Sequence, residues 1–290
     1  MKNLDKAMGG MSMWKNNGIV KEPFLQLKEH PSEASQTVDE VLYGMEVLIR
    51  EKTAKGGWAS VETAYGYQGY VKMDGLECRE WNTRKWQKLP KYVVTSPSAD
   101  VYEVPGYQNP YVLTLPRGSL VSAVPEEGQA GWQQARLIDG RGVYMRKAQL
   151  RPLAETHYSI RNEEETLRES LVRTALSYLH TPYRWGGKTP WGIDCSGLCS
   201  MVYLLHGIYI YRDASIKEGY PVKEIPVCEA KPGDLLYFPG HMALYIGYFQ
   251  YVHATGRMGQ DGVVVNSLNH TAPNYRRDLA STVTAAGSIF

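Results

Sequence analysis

The feature that most constrains this chain is a change of hydrophobic period near residue 153. Upstream of it, short apolar runs alternate with turn signals: VLYGMEVLI (41–49), the turn-like KTAKGG, WASVET (58–63) and GYQGYV (66–71). Strands this short and this closely spaced predict small all-β barrels. A similar order returns as VYEV, VLTLPRGSLVSAV (112–124), GWQQARLIDGRGVYMR (131–146) and AQLRPL. This is a weak internal repeat of about 60 residues. In each copy an apolar strand with an internal Gly precedes a Trp, either Trp58 or Trp132, and a Gly-aromatic strand follows.

Downstream of Pro152 the period becomes helical. Asn162 followed by Glu165 reads as an N-cap with its capping partner, and Leu167, Leu171, Ala175 and Leu179 recur every four residues. A second helix is expected from Cys195 to a stop at Gly207. Strand-like segments follow at 234–238, 241–249, 251–255 and 262–268, which makes this half an α+β domain. A chain of 290 residues has room for two or three domains. The expected division is an extension at 1–36, packing on later domains through Phe24, Leu25 and Leu27, then barrels at 37–90 and 91–153 and an α+β domain at 154–290.

Composition excludes several classes. Apolar residues make up 43% of the chain and charged residues 21%, as in ordinary folded proteins. No apolar run approaches the roughly 20 residues of a membrane span. Lys plus Arg is 32 against 30 acidic residues, a net charge of +2, so there is no electrostatic case for nucleic acid or anionic lipid. The segment MKNLDKAMGGMSMWKNNGIV carries no continuous apolar stretch and no small-residue cleavage pattern, and the expectation is a cytoplasmic protein. Four cysteines are too few for a disulfide scaffold in a chain this long.

One of those cysteines has a chemical context. Cys195, in GIDCSG, opens the second expected helix, where free backbone N–H groups and the macrodipole favour a thiolate and would lower its pKa toward neutrality. The alternative is a buried structural cysteine, as Cys199 among Leu198, Met201 and Val202 illustrates. Cys78 and Cys228 have no partner pattern. A thiolate nucleophile needs a base, and the base needs an orienting group. His241 opens an apolar strand after Pro239-Gly240, and His253 lies in the next. A hairpin turning at Gly247 would make the two cross-strand neighbours, so that one could orient the other. Two half-buried structural histidines remain the other reading. His30, His157, His180, His206 and His270 sit in polar or helix-end contexts.

The segments YRWGG (183–187), GIDCSGL (192–198), RDAS (212–215), KPGDLLYF (231–238), GHMALYIG (240–247) and YVHATG (251–256) resemble, in order and approximate spacing, the NlpC/P60 cysteine peptidases. The resemblance covers about 130 residues of the α+β domain and implies a papain-like catalytic fold. The β-rich half resembles tandem bacterial SH3-like barrels. Together they resemble the YkfC-like branch, the γ-D-glutamyl-L-diamino acid endopeptidases of murein recycling. The resemblance implies Cys195 as nucleophile, His241 as base and acid, and His253 as orienting residue. It implies Tyr183, with the Cys195 N–H, as oxyanion donor, and Trp185, Asp194, Ser196 and Asp213 as lining for the L-Ala-γ-D-Glu part of a peptidoglycan stem peptide, with turn, cap and packing roles as the alternative reading. It also implies an acid and a Tyr in the first barrel that read the free L-Ala amine. Tyr67 matches the tyrosine. Val38 stands where the acid is expected and Glu40 is the nearest same-face acid, with a solvated surface Glu as the alternative reading. No cofactor or metal is implied. Other readings are a cell-wall-binding SH3 protein with a relic peptidase, an amidase or acyltransferase using the same triad, or zinc hydrolysis through Cys195, His241 and His253, which lacks any HExxH-type arrangement.

Overall fold

The computed structural model describes residues 16–53, 56–123, 130–153 and 163–290. The chain forms two compact units, Met1–Thr156 and His157–Phe290.

In the first unit, β1 (Asn17–Val20), β2 (Phe24–Lys28), β3 (Thr37–Leu42), β4 (Glu46–Lys52), β5 (Trp58–Thr63), β6 (Gln68–Lys72) and β7 (Leu76–Glu77) form one sheet in the order β3-β2-β6-β5-β4-β1-β7. After helix α1 (Glu80–Lys88) come β8 (Lys91–Val94), β9 (Ser98–Tyr102), β10 (Tyr111–Pro116), β11 (Leu120–Ala123), β12 (Trp132–Arg136), β13 (Gly142–Arg146) and β14 (Leu150–Pro152). Their order, β10-β9-β13-β12-β11-β8-β14, is that of the first sheet strand for strand. Corresponding strands begin at residues 17 and 91, 24 and 98, 37 and 111, 46 and 120, 58 and 132, 68 and 142, and 76 and 150.

The repeat is therefore 74 residues long, not about 60. The extension expected at 1–36 is also corrected, because Asn17–Val20 and Phe24–Lys28 are integral strands of the first sheet. They carry its core, with Ile19, Val20 and Leu27 fully buried. Each internal Gly expected within a strand is instead the turn between two strands: Gly44 (φ +80°) links β3 to β4, and Gly118 (φ +91°) links β10 to β11. Gly44 must also lack a side chain, since a Cβ there would run into the Leu120 carbonyl.

The two sheets share apolar contacts. Ile19, Tyr43 and Trp86 pack with Val94, Leu115, Val121 and Met145 of the second sheet. The Trp86 indole donates to the Gly44 carbonyl at 3.1 Å, and the Ile138 amide donates to the Tyr43 hydroxyl at 3.0 Å. Burial holds that hydroxyl in its neutral form, its pKa pushed well up.

The second unit opens with α2 (Glu164–Leu176). Asn162 lies outside the described residues; Glu163 occupies the N-cap position and makes no side-chain cap bond. The helix stops short of Leu179, which lies in the turn that follows. Arg168, on its inner face, donates to Asp234 and the Pro232 carbonyl, each at 3.0 Å, tying α2 to the sheet. The short strands β15 (Lys188–Thr189) and β16 (Gly192–Ile193) lead into α3 (Cys195–Leu204). Every residue of α3 from Cys195 to Tyr203 is buried, as its all-round apolar sequence requires. The antiparallel sheet comprises β17 (Lys223–Ile225), β18 (Leu235–Phe238), β19 (His241–Gly247), β20 (Gln250–Thr255), β21 (Gly262–Ser267) and β22 (Ala285–Ser288), in the order β17-β22-β18-β19-β20-β21. A short helix, α4 (Arg277–Ala280), precedes β22.

The β19–β20 hairpin turns one step later than expected. Its loop is Tyr248-Phe249, with φ of +52° and +60°, the left-handed pair that suits a two-residue hairpin loop. Leu244 pairs with Val252 and Tyr245 with Tyr251. By that count His253 lies level with Ala243, and His241 is its diagonal neighbour rather than its direct partner.

Candidate active site

The site is built where α3 begins. Asp194 caps the helix, its Oδ1 accepting from the Gly197 amide at 2.6 Å, while Oδ2 accepts from the Gly186 amide at 2.8 Å. One carboxylate thus binds the YRWGG loop to the helix start. A Cβ on Gly197 would collide with the Gly187 carbonyl, and one on Gly187 with the Gly192 carbonyl. The glycines of these segments exist because three stretches of backbone meet there.

Arg212 closes the cluster from the RDAS segment. It is almost fully buried, places Nη1 and Nη2 at 3.1 and 3.0 Å from the two Asp194 oxygens, and donates to the Ser196 hydroxyl at 2.6 Å. Asp194 and Ser196, expected to line a substrate site, are thus both engaged in an internal network. Asp213, half-buried, accepts from the Tyr211 hydroxyl and thereby raises that phenol's pKa, after burial.

Cys195 is 7% exposed. The Met242 and Ser196 backbone N–H groups act on its sulfur by favouring the anion, which places it at the start of β19, one residue from His241. The expectation that the helix terminus lowers its pKa is corrected. Burial dominates and pushes the thiol up, Asp194 adds to the rise, and the Met242 and Ser196 amides and Arg212 only partly oppose it. The resting group is a thiol. Cys199 is fully buried and its pKa is pushed up further by the same cause, as its packing role requires.

His241 Nε2 lies 2.7 Å from His253 Nδ1, with the rings near perpendicular at 83°. His253 Nε2 lies 2.8 Å from Asn266 Oδ1 on β21, and Asn266 Nδ2 donates to the Asn274 carbonyl at 2.9 Å. Burial lowers the His241 pKa to about 4, with Arg276 contributing, and that of His253 to about 3, with His241 contributing. Both rings are neutral at pH 7.

Tyr183 runs beside Ile193 and rests its ring against Gly256. Its pKa is pushed up to about 12, first by burial and then by Cys195 and Asp194, so the phenol stays a donor near the sulfur. Trp185, on the same loop, is 60% exposed.

The remaining expected residues belong to the first repeat, Tyr67 in the turn before β6 and Glu40 on β3. Tyr67 is half-buried against its core, and Glu40 is fully buried on β3 rather than solvated. Its neighbour Asp39, also fully buried, accepts from the Tyr65 hydroxyl. Arg212 and Asn266 are the two polar residues that sequence reasoning missed. Arg212 lay inside a quoted segment, and Asn266 carried no signal beyond its strand. Among the described residues no group of three or more His, Cys, Asp or Glu side chains could hold a metal ion, and no helix is long and apolar enough to cross a membrane.

Residues 180–280 match the NlpC/P60 family. The chain is 44% identical over 276 residues to dipeptidyl-peptidase 6 of Lysinibacillus sphaericus, covering 94% of this chain and 100% of that one. It is 24% identical over 258 residues to the gamma-D-glutamyl-L-lysine dipeptidyl-peptidase of Bacillus subtilis (strain 168), covering 83% and 79% of the two. A solved NlpC/P60 family protein from Bacillus cereus ATCC 10987 shares the fold with a TM-score of 0.74 at 20% identity, covering 93% of this chain and 98% of that one. A buried thiol and two hydrogen-bonded histidines on one sheet, together with a relative this similar along its full length, place the chain in the NlpC/P60 family, and it is a peptidase.

Proposed function

We propose that the protein hydrolyses the bond between γ-D-Glu and the following L-diamino acid in peptidoglycan stem peptides, with preference for peptides whose N-terminal L-Ala is free, in the recycling of cell-wall peptides. The observation that carries this reading is the His241–His253 pair, 2.7 Å apart across β19 and β20, with His241 next to Met242, whose amide favours the Cys195 anion. In this reading the β-rich unit is a pair of SH3-like barrels and the second unit is papain-like. The naming of the Bacillus subtilis relative for γ-D-glutamyl-L-lysine supports the substrate class.

The mechanism follows from the protonation states. With thiol and imidazole both neutral, His241 takes the Cys195 proton as the sulfur attacks the γ-carbonyl carbon, and the carbonyl electron pair moves to oxygen. The Cys195 N–H, at the first turn of α3 where intrahelical partners are lacking, and the Tyr183 hydroxyl receive the oxyanion. Each such donor contributes roughly 10²- to 10³-fold in rate. His241 then gives the proton to the departing amine, the C–N bond breaks, and water activated by the same ring hydrolyses the thioester.

The first sheet supplies support for amine selectivity. In the 74-residue repeat Asp39 and Glu40 stand where the second sheet has Leu113 and Thr114, so two buried carboxylates are particular to the first copy. The test is mass spectrometry of products from defined L-Ala-γ-D-Glu-L-Lys and L-Ala-γ-D-Glu-diaminopimelate peptides. Release of L-Ala-γ-D-Glu supports the reading, and cleavage at any other bond refutes it.

A further inference from the structure

We infer that Asn266 is a positioning residue that fixes the tautomer of the catalytic base from two hydrogen bonds away. The inference rests on the thiol mechanism proposed above and adds a fourth member to its relay. His253 is 0% exposed and Asn266 1%, so no solvent completes their hydrogen bonding and each proton has an internal address.

The assignment starts from a backbone carbonyl. Asn274 O receives both the Ser267 amide, at 3.1 Å, and an Asn266 side-chain atom, at 2.9 Å. A carbonyl only accepts, so that atom must be the amide nitrogen, and the oxygen of Asn266 must face His253. An oxygen at 2.8 Å from His253 Nε2 requires a proton on that nitrogen. Neutral His253 then carries a lone pair on Nδ1, which at 2.7 Å from His241 Nε2 requires the proton there. His241 is left with its lone pair on Nδ1, the nitrogen that must receive the Cys195 proton.

The opposite tautomer would set two N–H groups, or two lone pairs, against each other somewhere along the chain. The Asn266 amide is itself held in place. The 274–276 segment lies along the end of β21, with Asn274 Nδ2 donating to Val265 O at 3.1 Å and the Arg276 amide to Ser267 O at 3.2 Å. The charges bearing on the two rings are Arg276, which disfavours their protonation, and Asp278 on α4, which favours it; Asp194 acts on His241 in the same sense as Asp278. Tyr251 packs against His253 as a neutral phenol. None of these groups selects a tautomer, and Asn266 does.

The first test needs no substrate. Two-bond ¹H–¹⁵N spectra of the wild-type protein at neutral pH should show both His241 and His253 protonated on Nε2. An Nδ1-protonated form of either ring overturns the inference and leaves the peptidase reading standing. The second test is kinetic. Asn266→Ala should lower kcat about tenfold or more with KM little changed, because a group that positions a general base acts on the proton transfer. Asn266→Asp keeps an acceptor toward His253 and adds a negative charge, so it should move the acid limb of the kcat/KM profile to higher pH by about one unit or more. A folded Asn266→Asp protein whose limb does not move would also overturn it. Should both variants fail to fold, the wild-type spectra decide.

Discussion

Arg212 grips both carboxylate oxygens of Asp194, at 3.1 and 3.0 Å, and the capped end of α3 that carries Cys195 is held between them. The pair is almost wholly buried, and breaking such a pair from one side leaves an uncompensated charge. Arg212→Met is therefore expected to lower unfolding free energy by about 3–5 kcal/mol. Arg212→Lys should lose less, keeping charge but not the two-pronged geometry. Urea denaturation of the three proteins checks this, and an unchanged midpoint for Arg212→Met would remove the structural role given to the pair.

Cys195→Ala should abolish hydrolysis without unfolding the protein, because in the proposed mechanism its sulfur forms the thioester. Cys199→Ala, in the packed interior of α3, should retain turnover with a modest stability loss. Iodoacetamide should inactivate the wild type, and EDTA should not. Turnover by Cys195→Ala, or loss of wild-type activity to EDTA, would defeat the thiol mechanism.

In the proposed mechanism His241 moves the proton while His253 holds its ring in place, so the two should not be equivalent. His241→Ala is expected to cost about 10²-fold or more in kcat/KM, within the range for a general acid–base group. His253→Gln retains polar atoms at that site and should cost less. The comparison requires both proteins assayed at saturating and limiting peptide. A fully active His241→Ala would dismiss this ring as the base.

The histidine shifts bear on both activity and stability. His241, lowered to about 4, stays a competent base through the neutral range, so the acid limb of kcat/KM should fall near pH 4 rather than near 6.5. For stability the sign follows from proton uptake. Above about pH 6.5 neither the folded nor the unfolded ring binds a proton, and the stability is fully present. As pH falls below that value the unfolded histidines charge first, and stability is lost down to the folded values of about 4 and about 3. His241 alone should account for roughly 2–3 kcal/mol of that loss. Chemical denaturation at pH 7 and pH 4.5, in wild type and His253→Gln, measures it. An equal pH dependence in the two proteins would show that His253 takes no part.

The amine preference is checked with L-Ala-γ-D-Glu-diamino acid peptides carrying free or acetylated N-termini. Acetylation removes the charge and adds bulk, so kcat/KM should fall sharply for the blocked peptide. Glu40→Gln should weaken the discrimination. Equal rates on the two peptides end the proposal of amine selectivity. A preference unchanged in Glu40→Gln moves the recognising acid to Asp39, the other fully buried carboxylate of β3.

The candidate site was legible in the sequence chiefly through its family resemblance. Cys195, His241 and His253 stand in segments whose order and spacing are distinctive, and a helix start after a capping Asp is a local property. The two-fold β repeat was visible too, but its length was not. NGIV shows no alternation and FLQLK only a short one, and only their pairing in the sheet reveals that they belong to the first copy.

Other features were decided by the folded structure alone. Arg212 and Asn266 are ordinary polar residues in sequence, and their roles exist only because burial confines their hydrogen bonds to partners inside the protein. The sign of the Cys195 shift was decided in the same way. Sequence placed the thiol at a helix terminus, which favours the anion, whereas the packing of α3 removed it from water, which favours the thiol more strongly. Local pattern determines which groups can react. Long-range packing determines their solvation and their partners, and through these where the protons sit.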